Sequence, residues 1–330
     1  MCPEALSSPS SQDQQRLEQL RQHLQRGQLA EATRLVYGWF ADVRLELSLL
    51  PSRERAIRPA LWHAVADLAE LAGDHRLPEQ LWQVLELLSP SPAVSSAIPL
   101  LGVPIVNGPE HLEALLASLD VPVDTLALVD HSGGPGTVRE LLDRLERDGV
   151  PGVAQVQLAR PFGNAGVAKA WNAILQGFPS VPFALIANHD VVFAPGALAQ
   201  ALAALDPEQP QWLPLLSRPA AFSAFLITSL AWNRIGLFDE SFIPAYWEDT
   251  DYRDRLEADP LVHMIEQGPW LAAMDAANPQ QSASLADDPQ LARSNDVSFA
   301  LNRLWYFSRR RLQGDRRGAW LRAWLLDQPR

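Results

Sequence analysis

The stretch that decides the fold is IPLLGVPIVNGPEHLEALLASLDVPVDTLALVD, residues 98–130. A short apolar run, PLLGVPIV, precedes an amphipathic segment, HLEALLASL, and a second apolar run, TLALVD, follows. Short apolar runs that alternate with helical segments predict a largely parallel sheet with helices packed on its faces. The alternation continues through VRELLDRLERD, VAQVQLA, a helix over residues 166–177, and FALIAN. We therefore expect an α/β fold over residues 98–280.

Residues 12–88, before this domain, have a helical pattern. Apolar residues recur at helix spacing, for instance at Leu17, Leu20 and Leu24, and Gly27 marks a turn. The proline- and serine-rich segment SPSPAVSS, residues 89–96, then predicts a linker. The predicted parts are a disordered N-terminus, a helical domain, a linker, the α/β domain and a helical extension, at 1–11, 12–88, 89–97, 98–280 and 281–330.

Composition limits the classes of protein to consider. The 330 residues carry a net charge of −12, which argues against general nucleic-acid binding. Cys2 is the single cysteine, so neither an intrachain disulfide nor a cysteine-based zinc site is expected. The first residues lack a signal-peptide pattern, and the apolar runs are far shorter than the roughly 20 residues of a membrane helix. We expect a cytoplasmic protein.

The C-terminal residues 301–330 have the opposite charge to the rest of the chain. Their eight arginines against Asp315 and Asp327 give a net charge of +6, and tryptophans are interleaved among them. Arginine and tryptophan together suit an anionic membrane surface, so peripheral contact with the inner membrane surface is one hypothesis. The alternative is a terminal helix that packs its tryptophans on the α/β domain. Residues 12–88 are a candidate surface for a protein partner or for self-association.

Acidic residues follow two of the predicted strands. TLALVD ends at Asp130, and FALIAN is followed by Asp190, with Asn188 at the strand end. Ligands of such sheets bind at the carboxyl ends of the strands, so these side chains are candidates for a shared site. Either aspartate alone would be better explained as a turn or helix-cap residue. The glycine-rich turns contain no G-x-G-x-x-G that opens a helix, which argues against a dinucleotide-binding oxidoreductase.

A third acidic cluster lies in GLFDESFIPAYWEDTDYRDRL, residues 236–256. Glu248, Asp249 and Asp251 are crowded, and crowded carboxylates raise one another's pKa, which is one way to make a general base. The alternative is an acidic first helical turn that faces the positive end of the helix dipole. Both interpretations are compatible, because a base at the start of a helix is well anchored.

Five segments in this order resemble family 2 of the glycosyltransferases, inverting enzymes of the GT-A fold. The resemblance covers about residues 98–256. The segments are VPIVNGPEHLEALLASL, LALVDHSGGPGT, RPFGNAGVAKAWNAIL, LIANHDVVFAPGAL and GLFDESFIPAYWEDTDYRDRL. The last resembles the family's G-x-F-D-E-x-F…E-D-x-D-x-x-x-R-L block and is the most specific. The resemblance implies a GT-A mixed sheet with helices on both faces, between the helical domain and the helical extension.

The resemblance also implies a nucleotide-sugar donor site and a divalent metal, Mn²⁺ or Mg²⁺. Asp190 would bind the metal that bridges the two phosphates of the donor. The residues implied around the nucleotide and sugar are Val103, Pro104, Asn107, Asp130, Asn164, Gly166, Asn172 and Asn188. For Asn172 a purely structural role in helix packing is the alternative.

On the acceptor side the resemblance implies that Asp249 is the general base and that Glu248 orients Asp249 or the acceptor. Tyr246 and Trp247 are candidates for an acceptor platform, with buried core aromatics as the alternative. The expected reaction moves a sugar to a hydroxyl of a glycan or lipid-linked acceptor. A single displacement without a covalent intermediate inverts the anomeric configuration, and a hard cation stabilises the departing diphosphate.

Two features depart from the family pattern. Asn188 replaces the first aspartate of the D-x-D motif, and the H-x-G-x-S turn after the acidic block is replaced by LAAMDAANPQQSAS. They motivate a second hypothesis, a degenerate GT-A domain that acts as a nucleotide- or partner-binding module. A nucleotidyltransferase is a third hypothesis, since it also binds nucleotide and metal on an α/β sheet.

Overall fold

The computed structural model describes residues 11–49, 59–72, 97–279 and 288–308. The chain divides into two compact units, Met1–Ser91 and Pro92–Arg330. The predicted linker lies outside the described residues except for Ala97, as does the last part of the predicted helical domain.

The first unit contains three described helices, α1 (Ser11–Gln25), α2 (Leu29–Leu49) and α3 (Pro59–Ala72). Gly27 has a positive φ of 67° in the turn between α1 and α2, where the sequence predicts a break. Apolar residues from all three helices form one core, with fully buried side chains that include Leu20, Trp39, Phe40, Leu61 and Leu68.

The second unit is built on a seven-stranded mixed sheet with the strand order β3-β2-β1-β4-β6-β5-β7. Strands β3, β2, β1 and β4 are mutually parallel, whereas β6 runs antiparallel to both β4 and β5. The strands are β1 (Ile98–Ile105), β2 (Val123–Asp130), β3 (Val153–Ala159), β4 (Phe183–Ala187), β5 (Gln211–Pro214), β6 (Ala224–Thr228) and β7 (His263–Met264).

Helices cover both faces of this sheet. One face packs against α4 (Pro109–Ala117), α5 (Thr137–Asp148), α7 (Ala197–Ala204) and α10 (Trp270–Ala277). The other packs against α6 (Val167–Gly177), α8 (Ser229–Ile235) and α9 (Glu248–Ala258). The predicted fold class is confirmed: a mixed α/β sheet with helices on both faces, helices before it and a helix after it.

Strand β1 is central and buried on both faces, which explains its nearly continuous apolar sequence. Leu101, Val103 and Ile105 belong to one core, and Leu100 belongs to the other. A Cβ at Gly102 would lie 2.6 Å from a side-chain carbon of Ile174, so the glycine allows α6 to pack closely. The parallel register places Ile105 beside Asp130, so β1 and β2 end at the same edge of the sheet.

The described part of the C-terminal segment is one long helix, α11 (Pro289–Ser308). Trp305 on this helix is buried. Residues 309–330, with Trp320, Trp324 and the remaining seven arginines, lie outside the described residues. No helix in the described parts of the chain combines the length and the apolarity needed to cross a bilayer.

Candidate active site

A cleft of about 420 Å³ opens at the carboxyl ends of β1 and β4. Sequence features from four separate stretches of the chain meet there. Seven of the predicted site residues line it, namely Pro104, Asn164, Asn188, Asp190, Tyr246, Glu248 and Asp249. The cleft therefore brings the strand-end residues and the acidic block to one place.

The turn after β4 presents two polar side chains to the cleft. The Asn188 amide donates to the Ser223 carbonyl at 2.7 Å, and the Val191 amide donates to the Asn188 carbonyl at 3.2 Å. Asn188 and Asp190 are half-buried and line the cleft. His189 between them is buried, and its burial lowers its pKa, against the opposing effect of Asp190.

Asp130 ends β2, is almost fully buried and is not among the residues that line the cleft. Its Oδ1 accepts from the backbone amide of Ser132 at 2.9 Å and from the Ser132 hydroxyl at 2.5 Å. Nitrogens of Arg139 and Arg160 lie 3.8 Å from its Oδ2. The turn thus satisfies Oδ1, whereas Oδ2 has the two arginines at ion-pair distance and no hydrogen-bond partner among the described residues.

His131, which the sequence analysis did not select, lines the cleft directly after Asp130. Burial lowers the pKa of His131 to about 4, although Asp130 acts in the opposite direction. The imidazole is therefore neutral near pH 7. The available signal was its place in HSGGPGT, immediately after a strand-end aspartate.

Three further residues that were predicted to bind the nucleotide-sugar donor are not among the residues that line the cleft. Val103 is fully buried in the core of the sheet. The backbone of Asn107 hydrogen-bonds His189. Asn172 is buried, where its side-chain amide donates to the Phe238 carbonyl and its oxygen accepts from the Phe238 amide, both at 2.9 Å. Asn172 thus ties α6 to the segment that leads into the acidic block.

Gly166 joins the start of α6 to the loop before α9. Its φ is 92°, and a Cβ there would lie 2.9 Å from the carbonyl oxygen of Pro244. The adjacent Val167 amide donates to that same oxygen at 2.8 Å. Asn164, which does line the cleft, accepts from the Gly166 amide through its side chain at 3.0 Å. A glycine is needed here because backbone approaches backbone at a positive φ.

The acidic block begins α9 at the floor of the cleft. Asp249 is half-buried, and its Oδ1 accepts from the Thr250 amide at 2.7 Å. Glu248 is 5% exposed, and its Oε2 has no hydrogen-bond partner among the described residues. Burial raises the pKa of Glu248 well above its ordinary value, and Asp249 raises it further. The Asp251 carboxylate forms an ion pair with the Arg255 guanidinium, with 3.1 Å between Oδ2 and Nη2. Asp251 is not among the residues that line the cleft.

The two predicted acceptor aromatics have different environments. Tyr246 lines the cleft and packs edge-on against Phe299, with ring centroids 5.6 Å apart. Trp247 packs against three rings of α11, those of Phe299, Tyr306 and Phe307, at centroid distances of 5.7, 5.1 and 5.7 Å. Tyr246 is thus placed to touch a ligand, whereas Trp247 attaches α9 to α11.

Helix α11 also lines the cleft, through Leu291, Asn295 and Phe299. The sequence analysis treated residues 281–330 as an extension and assigned them no role in the site. One signal was present: polar Asn295, Ser298 and Asn302 recur at helix spacing, and all three are buried. A buried polar stripe on a helix needs hydrogen-bond partners, which points to a contact beyond simple core packing.

The residues present fit a metal that arrives with a phosphate ligand. The described ranges contain no group of three or more His, Cys, Asp or Glu side chains placed to hold a metal ion. Mg²⁺ commonly takes one or two carboxylates and completes its coordination with substrate phosphates and water. Asp190 supplies a carboxylate and Asn188 an amide oxygen on the same wall.

Comparison with known proteins finds similarity in solved structures only. No family model matches the sequence, and no curated protein matches it. A structure of GalNAc-T7 with UDP, GalNAc and Mn²⁺ is 12% identical, with 51% of this chain and 42% of that chain covered and a TM-score of 0.42. S. aureus TarS 1–349 is 14% identical, with coverage of 52% and 58% and a TM-score of 0.40. This chain spans about half the length of these two proteins.

Proposed function

We propose that this chain is a glycosyltransferase that moves a sugar from a nucleotide-sugar donor to an acceptor hydroxyl. The observation that supports this function is the meeting of Asp190 and Asp249 in one cleft, although α7, β5, β6 and α8 separate them in the chain. Such a cleft offers a carboxylate for a metal–diphosphate group and a second carboxylate for a base.

The donor wall consists of Pro104, His131, Asn188 and Asp190, at the carboxyl ends of the parallel strands. We assign the nucleoside to the side of Pro104 and His131, because a neutral imidazole can hydrogen-bond a base or ribose without repelling either. The diphosphate belongs beside Asn188 and Asp190. Since Asp190 and Asp249 are both acids, a bound cation would be needed to hold a diphosphate between them.

Asp190 would hold this cation, Mn²⁺ or Mg²⁺, together with the phosphates of the donor. When bound, it stabilises the negative charge that develops on the departing diphosphate. Asn188 provides a neutral oxygen ligand or a hydrogen bond to the ribose or sugar, where a D-x-D motif would provide a second carboxylate.

The acceptor wall consists of Tyr246, Glu248 and Asp249 with Asn295 and Phe299 of α11. Asp249 is the general base: it takes the proton from the acceptor hydroxyl as that oxygen bonds to the anomeric carbon and the bond to the diphosphate breaks. Burial raises the pKa of Glu248, which favours its protonated form, and in that form Glu248 can donate a hydrogen bond that orients the acceptor or Asp249. The single displacement inverts the anomeric configuration.

The acceptor class follows from the surface beside the base. Tyr246, Phe299 and Leu291 are apolar or aromatic, and Asn295 supplies an amide. Aromatic faces with a neighbouring amide suit the ring of a neutral sugar. A glycan or lipid-linked glycan is therefore the proposed acceptor. Cytoplasmic location, peripheral membrane contact through 301–330 and partner binding through 12–88 stay predictions.

The test of this function is release of nucleoside diphosphate from UDP-, GDP- and dTDP-sugars, with and without Mn²⁺. We expect release from one donor class that depends on the metal and increases with a glycan acceptor. No release from any donor, in the presence of nucleotide-dependent thermal stabilisation, would contradict the proposal. That outcome would favour a nucleotide-binding module, the candidate supported by Asn188 in place of an aspartate.

A further inference from the structure

The loop of residues 243–247 carries an unusual backbone directly before the base. Tyr246 and Trp247 have positive φ angles of 74° and 75°. Residues with bulky side chains rarely adopt this conformation, and they keep it only where the surrounding structure imposes it. Because α9 begins at Glu248, the conformation of this loop sets the position and direction of the first turn that carries Asp249.

Side chains of α11 contact the backbone of this loop. Asn302 is fully buried, and its Nδ2 lies 3.3, 2.9 and 3.1 Å from the carbonyl oxygens of Ile243, Ala245 and Tyr246. The Ser298 hydroxyl, one turn earlier on the helix, lies 3.3 Å from the Ala245 oxygen and 2.9 Å from the Asn295 carbonyl oxygen of its own helix. In a loop with positive φ angles these carbonyl groups point away from regular secondary structure. The side chains of Asn302 and Ser298 face them.

An asparagine suits this position for a chemical reason. Its amide group carries two N–H donors on one nitrogen without a charge, so it can serve several carbonyl oxygens in a buried site. A carboxylate would repel the same oxygens, and an aliphatic side chain would leave them without a donor. Leu304 and Arg303, the next residues on α11, are exposed and make none of these contacts in the structure described.

Helix α11 is itself anchored to α9 beyond this loop. The Tyr306 hydroxyl hydrogen-bonds the Asp254 carboxylate, and Trp247 packs against Tyr306 and Phe307. Asn302 therefore bonds the loop from a helix that is fixed to the same helix that carries Asp249. Because α11 contacts both the loop and α9, we expect a change at Asn302 to alter the conformation of the loop before it alters the packing of α11 on α9.

We propose that Asn302, assisted by Ser298, is a positioning residue that holds loop 243–247 in the conformation that presents Asp249 to the cleft. Its effect on turnover rests on the glycosyltransferase function proposed above. Its effect on the loop does not.

The experiment compares the full-length wild type with Asn302→Leu, Ser298→Ala and the exposed control Arg303→Ala. Hydrogen exchange is measured on peptides that cover residues 242–250 and on peptides from β1 and β4. For Asn302→Leu we expect roughly tenfold faster exchange in 242–250, with β1 and β4 unchanged, since the loop opens locally. Ser298→Ala, which removes one weaker donor, should show a smaller change in the same peptide. Arg303→Ala should match the wild type.

The kinetic arm uses the donor and acceptor found for the wild type. Misplacement of a catalytic group by about 1 Å can cost on the order of 100-fold, so Asn302→Leu should lower kcat by about 10- to 100-fold. The donor KM should stay within about twofold, because the donor wall is not touched. Ser298→Ala should lower kcat by a few-fold.

Unchanged exchange in residues 242–250 of both variants would overturn the proposal. So would equal acceleration in β1 and β4, which would make Asn302 an ordinary core residue, or a loosened loop with unchanged kcat. If the wild type releases no nucleoside diphosphate from any donor, the glycosyltransferase function fails. Local acceleration of the loop peptide would then still support the role of Asn302 in holding the loop.

Discussion

The donor wall and the acceptor wall of the cleft are built in different ways. Asn188 and Asp190 follow directly on β4, which is paired with β1 and β6, and Pro104 lies within β1 in register with Val129. The backbone amide of Asn188 also donates to the Ser223 carbonyl just before β6. Tyr246 and Asp249 depend on a loop with two positive φ angles that α11 holds through Asn302. The donor wall is thus set by local sequence and sheet register, whereas the acceptor wall is set by a helix about 50 residues later in the chain.

This difference implies that the two walls can be damaged separately. A change on the acceptor wall should stop transfer and leave nucleotide binding intact. A change on the donor wall should weaken metal and nucleotide binding as well. The predictions below use this separation.

The largest effect is expected for Asp249→Asn on the acceptor wall. Loss of a general base typically lowers the rate by about 10² to 10⁴-fold, and the amide keeps the shape of the side chain. Transfer to the acceptor is measured together with thermal stabilisation by nucleoside diphosphate and Mn²⁺, which should be unchanged. Glu257→Gln, a half-exposed acid on the same helix, is the control and should behave as wild type. Transfer by Asp249→Asn at the wild-type rate would show that Asp249 is not the general base.

On the donor wall, Asp190→Ala should lower nucleoside diphosphate release by about 10² to 10³-fold, because the charge of the diphosphate is no longer stabilised through the metal. Unlike Asp249→Asn, it should also lose the thermal stabilisation that Mn²⁺ and nucleoside diphosphate give together. Asp124→Ala, an exposed acid at the start of β2, serves as the control. Retained Mn²⁺-dependent stabilisation in Asp190→Ala would place the metal elsewhere.

The junction between the two walls is tested by Gly166→Ala. A Cβ at a φ of 92° and 2.9 Å from the Pro244 oxygen should reduce the free energy of unfolding by about 1–3 kcal/mol. Urea unfolding measures this change. Gly177→Ala, at the end of the same helix with no neighbour within 4 Å of its Cβ position, should be neutral or slightly stabilising. Equal midpoints for the two variants would show that this contact does not constrain the junction.

The smallest effect is the pH dependence that Glu248 gives to the acceptor wall. Burial, and then Asp249, raise its pKa in the folded chain above the ordinary value of 4.5. The folded state therefore binds the proton more tightly, and the stability that Glu248 contributes below pH 4.5 is lost as pH rises towards the folded pKa.

Glu248→Gln has no proton to lose at this position. Its thermal unfolding midpoint should therefore fall less than that of the wild type as the pH rises above 4.5, the ordinary pKa of the group. Glu257→Gln should run parallel to the wild type over this range. A constant difference between Glu248→Gln and the wild type at all pH values would mean that Glu248 does not titrate as described.

The sequence predicted the α/β fold and the strand-end part of the cleft because both depend on local patterns. The apolar runs of β1, β2 and β4 mark strands, and parallel strands end at one edge, so Asn188 and Asp190 could be selected. Asp130 was selected by the same rule, but its ion pairs with Arg139 and Arg160 depend on the packing of side chains from other elements.

The role of α11 could not be predicted in this way. Asn295, Ser298 and Asn302 form a buried polar stripe, but the loop groups that Ser298 and Asn302 contact lie some 50 residues earlier and are backbone carbonyls, which leave no mark in the sequence. His131 was missed for a related reason, because its low pKa results from burial in the folded chain. Trp247 likewise could be separated from Tyr246 only once its packing on α11 was seen.

The most direct test of the shared cleft is a crystal structure of the full chain with Mn²⁺ and the nucleoside diphosphate of its donor, with the metal located by anomalous scattering. We predict Mn²⁺ bound to the Asp190 carboxylate and both phosphates, with the diphosphate between Asp190 and Asp249. A metal away from Asp190, or a nucleotide bound with Asp249 facing away from its phosphates, would contradict the account.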